Sequence, residues 1–171
     1  MKILATDRLL LRQLTREDAE FIFALMNDPS WLRFIGDRGV RTLEDARQYI
    51  LNGPSASYEQ HGFGLYLTEL KESSTAIGIC GLLKRPTLAD VDLGFAFLPK
   101  YWGKGYALEA AEATLALGKN TFGLWRVVAI TSPENERSIK VLEKLGFTFE
   151  QLLRMNANEP EVKLFARTLE G

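Results

Sequence analysis

The sequence is poor in the residues that do covalent and metal chemistry: Cys80 is its only cysteine and His61 its only histidine. A lone cysteine excludes an intrachain disulfide framework and a cysteine-built metal site, so no metal is expected. Cys80 also lies mid-strand in an apolar run, with no histidine near it in sequence, which reads as a buried, inert thiol rather than a nucleophile. His61 precedes a strand beside Gly62 and reads as a loop residue. Charge of one sign is lacking too, since 21 Lys and Arg stand against 22 Asp and Glu, scattered along the chain, for a net charge of -1. That leaves no electrostatic footprint for nucleic acid. No apolar run approaches a membrane span, and Met1-Lys2-Ile3-Leu4 lacks the long apolar core of a signal peptide. The expectation is a cytoplasmic protein with no nucleic-acid or membrane partner. Repeats, linkers and low-complexity segments are missing as well. At 171 residues the chain can bury a core without staples, and it reads as one domain over residues 1–171.

What is present is a change of period along the chain. Arg8 to Leu14 is a short apolar run flanked by charge and reads as a strand. Thr15 with Asp18 resembles a capping box and opens a helix with Phe21, Ile22, Leu25 and Met26 on one stripe, closed by Pro29. Trp31 to Gly36 is an aromatic-rich connection of unassigned state. Thr42 with Asp45 starts a second helix, which Asn52-Gly53-Pro54 is expected to end. From Gly62 the pattern alternates, predicting strands over 62–70, 75–83 and 91–98 joined by short polar connections, an antiparallel meander. A helix from Tyr106 to about Asn120, a strand over 125–131, a helix carrying Ile139, Leu142 and Leu145, and two last strands (147–153 and 162–169) complete the chain. Because a helix separates them, the strands over 91–98 and 125–131 should pair in parallel. The class is mixed α/β, with a mostly antiparallel sheet of about seven strands and about four helices.

The segment from Val91 to Asn120 carries the densest chemistry. Its strand ends at Pro99, Gly103 and Gly105 bracket Lys104 in a turn, and an alanine-rich helix follows. Such a turn leaves main-chain N–H groups unpaired at a helix N-terminus, where they attract anions, phosphate above all. A P-loop is not spelled here, since neither Ser nor Thr follows Gly105, and a dinucleotide fingerprint would need a glycine at Leu108.

The stretch Lys100-Tyr101-Trp102-Gly103-Lys104-Gly105-Tyr106-Ala107 resembles the acyl-coenzyme A motif of the GNAT superfamily of N-acetyltransferases, with Lys100 where Gln or Arg is usual. Asn135-Glu136-Arg137-Ser138, running on to Leu145-Gly146-Phe147, resembles that family's Asn-x-x-Ser helix. Thr6-Asp7-Arg8-Leu9-Leu10-Leu11-Arg12 resembles the start of its RimJ/RimL-type branch, which acetylates protein N-termini. The resemblance runs nearly end to end in the same element order. It implies that the parallel strand pair splays, and that the donor is acetyl-coenzyme A. Its pyrophosphate would lie on the amides of Trp102, Gly103, Lys104, Gly105, Tyr106 and Ala107, and its pantetheine arm along Phe95, Ala96 and Phe97.

The remaining candidates keep two readings each. Asn135 is a favoured N-cap residue with Ser138 at N3, and both are also implied to face the thioester end of the coenzyme. Ser138 is the candidate acid toward the departing thiolate, and this helix offers no tyrosine for that task. Asp92 is the candidate base; alternation puts it on one strand face with Asp90, Gly94 and Ala96, where a solvated surface pair is the other reading of Asp90 and Asp92. Trp31, Phe34 and Tyr58 could line an acceptor pocket or fill the core. The implied function is direct acetyl transfer to an amine, that of a protein N-terminus or of a small molecule such as a polyamine, amino acid or antibiotic. A non-catalytic acyl-coenzyme A sensor and a nucleotide-binding protein are the alternatives, and a monomer and a homodimer are both open.

Overall fold

Alternation of large apolar with small or polar side chains over residues 65–97 builds the middle of a single mixed sheet, described with the rest of residues 2–169 in the computed structural model. In chain order the elements are β1 (Lys2–Ala5), β2 (Leu9–Gln13), α1 (Ala19–Met26), α2 (Pro29–Phe34), α3 (Leu43–Ile50), α4 (Ala56–His61), β3 (Leu65–Leu70), β4 (Thr75–Leu83) and β5 (Asp92–Phe97). After these come α5 (Tyr106–Phe122), β6 (Arg126–Thr131), α6 (Glu136–Lys144), β7 (Thr148–Leu153) and β8 (Val162–Thr168). The sheet order is β1-β2-β3-β4-β5-β6-β8-β7. Every neighbouring pair is antiparallel except β5–β6, which is parallel across the α5 crossover, as expected.

The local signals act as their chemistry dictates. Thr15 accepts the Glu17 N–H at 3.3 Å while Asp18 accepts the Thr15 N–H at 2.9 Å, a reciprocal box that feeds a short 3-10 turn into α1. Thr42 accepts the Asp45 N–H at 3.0 Å and starts α3. At the end of α6 the Phe147 N–H donates to the Leu142 carbonyl at 3.0 Å, folding Phe147 back into the core.

Three expectations change. The sheet has an eighth strand, β1, whose four residues are too short to show a period and which is held by pairing with β2. The aromatic connection is helical: Asp28 accepts the Ser30 N–H at 2.9 Å and Pro29 occupies the first turn, so α2 begins where α1 was expected merely to end. Asn52-Gly53-Pro54 does not stop the chain's helical course. Residues Leu51–Ser55 widen into a π turn, which accommodates the ring of Pro54, and run on into α4, whose last residue is His61.

The two sheet faces carry separate cores. Leu9, Leu11, Tyr66, Leu82 and Leu93 pack under Ala110, Ala111 and Leu115 of α5 and Leu142 of α6. Leu65, Leu67 and Ile79 pack under Ile22 and Leu25 of α1, Trp31 of α2, and Ala46 and Ile50 of α3. Close backbone approach at the centre demands Gly81, where an added Cβ would stand 2.0 Å from the Gly64 carbonyl oxygen. Gly81→Ala is expected to reduce stability by about 3 kcal/mol. Urea unfolding checks this: the midpoint should fall with little change in slope, and an unchanged midpoint would show that β3 and β4 separate at no cost.

Candidate active site at a fork in the sheet

β5 and β6 pair at one register only, Asp92 with Val128, where the Val128 N–H donates to the Val91 carbonyl at 3.0 Å. Beyond that vertex β5 stays with β4 and β6 with β8, so the two parallel strands part toward their C-terminal ends. The β4–β5 register is regular and continues into the Leu98 N–H donating to the Ile77 carbonyl at 3.0 Å. Alternation therefore turns the main-chain groups of Phe95 and Phe97 into the fork and those of Ala96 toward β4. The indole N–H of Trp102 takes the Phe97 carbonyl at 2.8 Å.

The mouth of the fork is the glycine turn. Gly103 has φ +75° and Gly105 φ +82°, left-handed values that glycine adopts without strain, and they aim the chain into α5. No side chain caps the N-terminus of this 17-residue helix, so its first-turn N–H groups are left for an anion. Arg8 braces the turn from β2's leading edge. Its Nη1 donates to the Lys104 carbonyl at 2.9 Å, its Nε pairs with Glu109 of α5 at 2.7 Å, and its guanidinium lies 4.4 Å from the Tyr106 ring centroid. Glu109 also accepts from the Arg8 main-chain N–H at 3.0 Å and from the Thr6 hydroxyl. These bonds outweigh burial and hold the Glu109 carboxyl below its usual range.

α6 forms the second wall. Asn135 caps it, accepting the Ser138 N–H at 3.3 Å, and both residues face the fork. The Arg137 guanidinium lies 4.8 Å from the Trp102 ring centroid, bridging wall and turn. Between turn, fork and wall lies a cavity of about 320 Å³ that passes through the fork, since its lining draws on both faces of the sheet. Phe95, Ala96, Phe97, Trp102, Gly103, Gly105, Tyr106, Ala107, Asn135 and Ser138 all line it; Lys104 does not, its carbonyl being taken by Arg8.

Other candidates separate. Asp92 is buried at the vertex and is absent from the cavity lining. Burial pushes its pKa from the usual 3.8 up to about 6, although Arg85, paired with its Oδ1 at 3.1 Å, pulls it the other way. Its Oδ2 is buried without a hydrogen-bond partner. The solvated pair is therefore not found: Asp90 lies ahead of the strand, held at 3.1 Å by Arg126, which also binds Glu150 at 2.7 Å. Cys80 is buried 3.5 Å from the Thr114 hydroxyl, and burial pushes its thiol up to about 12. His61 stacks on Phe63 at 5.6 Å. Trp31 and Phe34 line the cavity, whereas Tyr58 is internal, its hydroxyl accepting the Leu14 N–H at 3.0 Å and donating to the Leu65 carbonyl. Sequence reasoning missed the Arg8–Glu109 brace and the lining residues Arg137, Lys140 and Lys144. The last three share one stripe of α6 at spacings of three and four, a signal readable beforehand.

Comparison with known proteins agrees with this geometry. The family model described as an acetyltransferase (GNAT) domain matches residues 8–148. An uncharacterized N-acetyltransferase, YoaA of Bacillus subtilis (strain 168), is 33% identical over 154 residues, covering 89% of this chain and 86% of that protein. The crystal structure of an acetyltransferase from Agrobacterium tumefaciens superposes with TM-score 0.82 at 28% identity, covering 98% of this chain and 94% of the other. In fold the chain is also similar to RimL, a ribosomal L7/L12 alpha-N-protein acetyltransferase solved in complex with coenzyme A, with TM-score 0.81 at 18% identity over 99% of this chain and 98% of that one. With an uncapped helix N-terminus at the mouth of a strand fork, and a family model that matches most of its length, the chain belongs to the GNAT family and is an N-acetyltransferase whose acetyl donor is acetyl-coenzyme A.

Proposed function

We propose that the protein transfers the acetyl group directly to a primary amine, without an acetylated enzyme side chain. The observation that carries this is the fork, a gap between two strands that opens beside an uncapped helix N-terminus. Acetyl-coenzyme A, when bound, supplies an activated thioester carbonyl. The residues present suit that group: the amides of Gly103, Gly105, Tyr106 and Ala107 offer donors to a pyrophosphate, the Trp102 N–H being given to the Pro99 carbonyl at 3.1 Å, and Phe95 offers main-chain groups to an extended amide-bearing arm. A main-chain N–H at Phe95, fixed in the strand, is placed to steady negative charge developing on a carbonyl oxygen in the fork. Asn135 and Ser138 stand on the opposite wall, and Ser138 is the hydroxyl that can donate a proton to a departing thiolate. The inert Cys80, buried away from the cavity lining, argues against a covalent route.

Asp92 is assigned as the proton acceptor. It sits at the vertex, where the thioester end of the arm would stop, and it would take the proton through a bridging water at its Oδ2, the oxygen that Arg85 does not hold. With its pKa near 6 it is ionised at neutral pH, while still basic enough to take a proton.

Thiol release from acetyl-coenzyme A in the presence of primary amines tests the transfer itself; coenzyme binding without turnover on any amine, a peptide N-terminus included, would overturn it. Asp92→Asn should lower kcat/KM by about 100-fold at pH 7.5 and remove the limb that rises through about pH 6 in the wild type. A variant profile that keeps this limb would remove Asp92 from the mechanism. Stability should respond with the opposite sign. The folded pKa is raised above the usual 3.8, so the native state holds the extra proton between about pH 4 and 6, and the contribution of Asp92 is complete below that window and lost as pH rises through it. The difference in unfolding free energy between wild type and Asp92→Asn should therefore shift by up to about 3 kcal/mol across the window, as denaturant titrations at several pH values would show. Arg8→Ala should raise KM for acetyl-coenzyme A about tenfold with a smaller change in kcat, because it loosens the turn and leaves the fork intact. An unchanged KM would show that the turn holds itself.

A further inference from the structure

We propose, resting on the amine-transfer reading above, that the acceptor is a monoamine whose amine is flanked by an apolar group, and that polyamines are rejected. The cavity divides by chemistry at the fork. On the α5 and α6 side it is lined by Arg137, Lys140 and Lys144. None of these forms an ion pair with a carboxylate among the described residues, whereas Arg8, Arg12, Arg41, Arg47, Arg85 and Arg126 all do. Unpaired cations opposite an uncapped helix N-terminus suit the phosphates of the coenzyme, which neutralise them when it binds.

On the other side of the fork the lining is Leu25, Trp31, Phe34 and Ile35, with Ser30. Among the described residues, no aspartate or glutamate lines the cavity. The polar groups on this wall have the wrong sign or are engaged. The indole N–H of Trp31 is a buried donor without a partner, and the Ser30 hydroxyl donates to Asp28 at 2.6 Å. Asp28 is the carboxylate nearest this wall, but it is not among the lining residues and is engaged by the Ser30 hydroxyl and N–H, while the Arg33 guanidinium lies 4.7 Å from the ring centroid of Phe34. Asp92, on the same face of β5 as Ala96, is already paired with Arg85 and contributes nothing to the lining.

A polyamine that offers one neutral amine to the thioester still carries at least one ammonium group. In this cavity that group would lie against apolar and cationic surface with no carboxylate among the lining residues, which is costly for a cation that gives up water there. A monoamine enters neutral and leaves an amide, so no charge remains to be buried, and its apolar flank gains by covering Trp31, Phe34 and Ile35. The same chemistry is offered by a small aromatic or branched amine and by a polypeptide that begins with an apolar residue.

Thiol-release kinetics with phenethylamine, isoamylamine, a short peptide beginning with Phe, putrescine and spermidine test this on the intact protein. Phenethylamine or the Phe-initiated peptide should exceed spermidine in kcat/KM by at least about 100-fold. Which of the two is faster separates a small-molecule enzyme from one acting on chain ends. Ile35→Glu, made on a residue that is 40% exposed and so not needed by the core, should raise kcat/KM for spermidine and narrow the ratio at least about tenfold. Spermidine equal to or better than phenethylamine would overturn the proposal, and so would a ratio that neither Ile35→Glu nor Phe34→Ala alters. Should no amine turn over although coenzyme A binds, the transfer reading fails by itself. Calorimetric titration of the coenzyme A-loaded protein with phenethylamine and with spermidine then decides the preference, tighter phenethylamine supporting it and equal or tighter spermidine overturning it.

Discussion

An unpaired main-chain edge in the middle of a sheet is the constraint around which this protein is arranged. β5 and β6 meet at Asp92 and Val128 and then part, each still bonded to its outer neighbour. A buried N–H or C=O without a partner costs about 1–3 kcal/mol, so the main-chain groups released by the fork need partners from outside the ladder, as Phe97 finds in the Trp102 indole. The α5 crossover that makes the pair parallel also begins at the open end of the fork. Its uncapped first turn is thus brought to the mouth by the same connection that makes the gap. Main-chain acceptors, main-chain donors and helix dipole converge without any one side chain being decisive.

Around that gap the side chains divide by face. The α5 and α6 side presents Arg137, Lys140 and Lys144, which form no ion pair among the described residues, and the α2 side presents aromatic and aliphatic surface, with the buried carboxylate of Asp92 at the vertex between them. This division would suit the proposed reaction, with a polyanionic donor on one face of the sheet and an uncharged amine on the other. Burial raises the Asp92 carboxyl to about 6, and Arg85 offsets part of that cost. The N-terminal hairpin contributes at a distance. Arg8 and Thr6 converge on Glu109, tying the first strands to the glycine turn and the first helical turns beyond it. Arg8 thereby gives a physical role to the segment Thr6 to Arg12, which sequence reading could only match by resemblance.

Much of the fold could be read from the chain because its signals are local. Thr15 with Asp18, Thr42 with Asp45, and Gly146 before Phe147 work through hydrogen bonds that span a few residues, and each operates as its chemistry dictates. The misreadings fall where local signals conflict or are too short. β1 is four residues long and is stabilised by its partner, not by its own pattern. α2 hides behind Pro29, which serves equally as a stop and as a first-turn residue. Pro54 is tolerated within a helical course because the π turn gives its ring room.

The strand-turn-helix unit was legible in the chain, since Gly103, Gly105 and the helix that follows are contiguous and need only backbone geometry. The apolar run around Cys80 likewise marked it as a buried thiol, as the structure shows. Long-range packing sets where the strands part, buries Asp92 at the vertex beside Arg85, and turns Trp31, Phe34 and Ile35 to the same cavity as Arg137, Lys140 and Lys144. These are relations between residues dozens of positions apart, brought together by sheet order and a crossover. No pattern of nearby side chains encodes such distances.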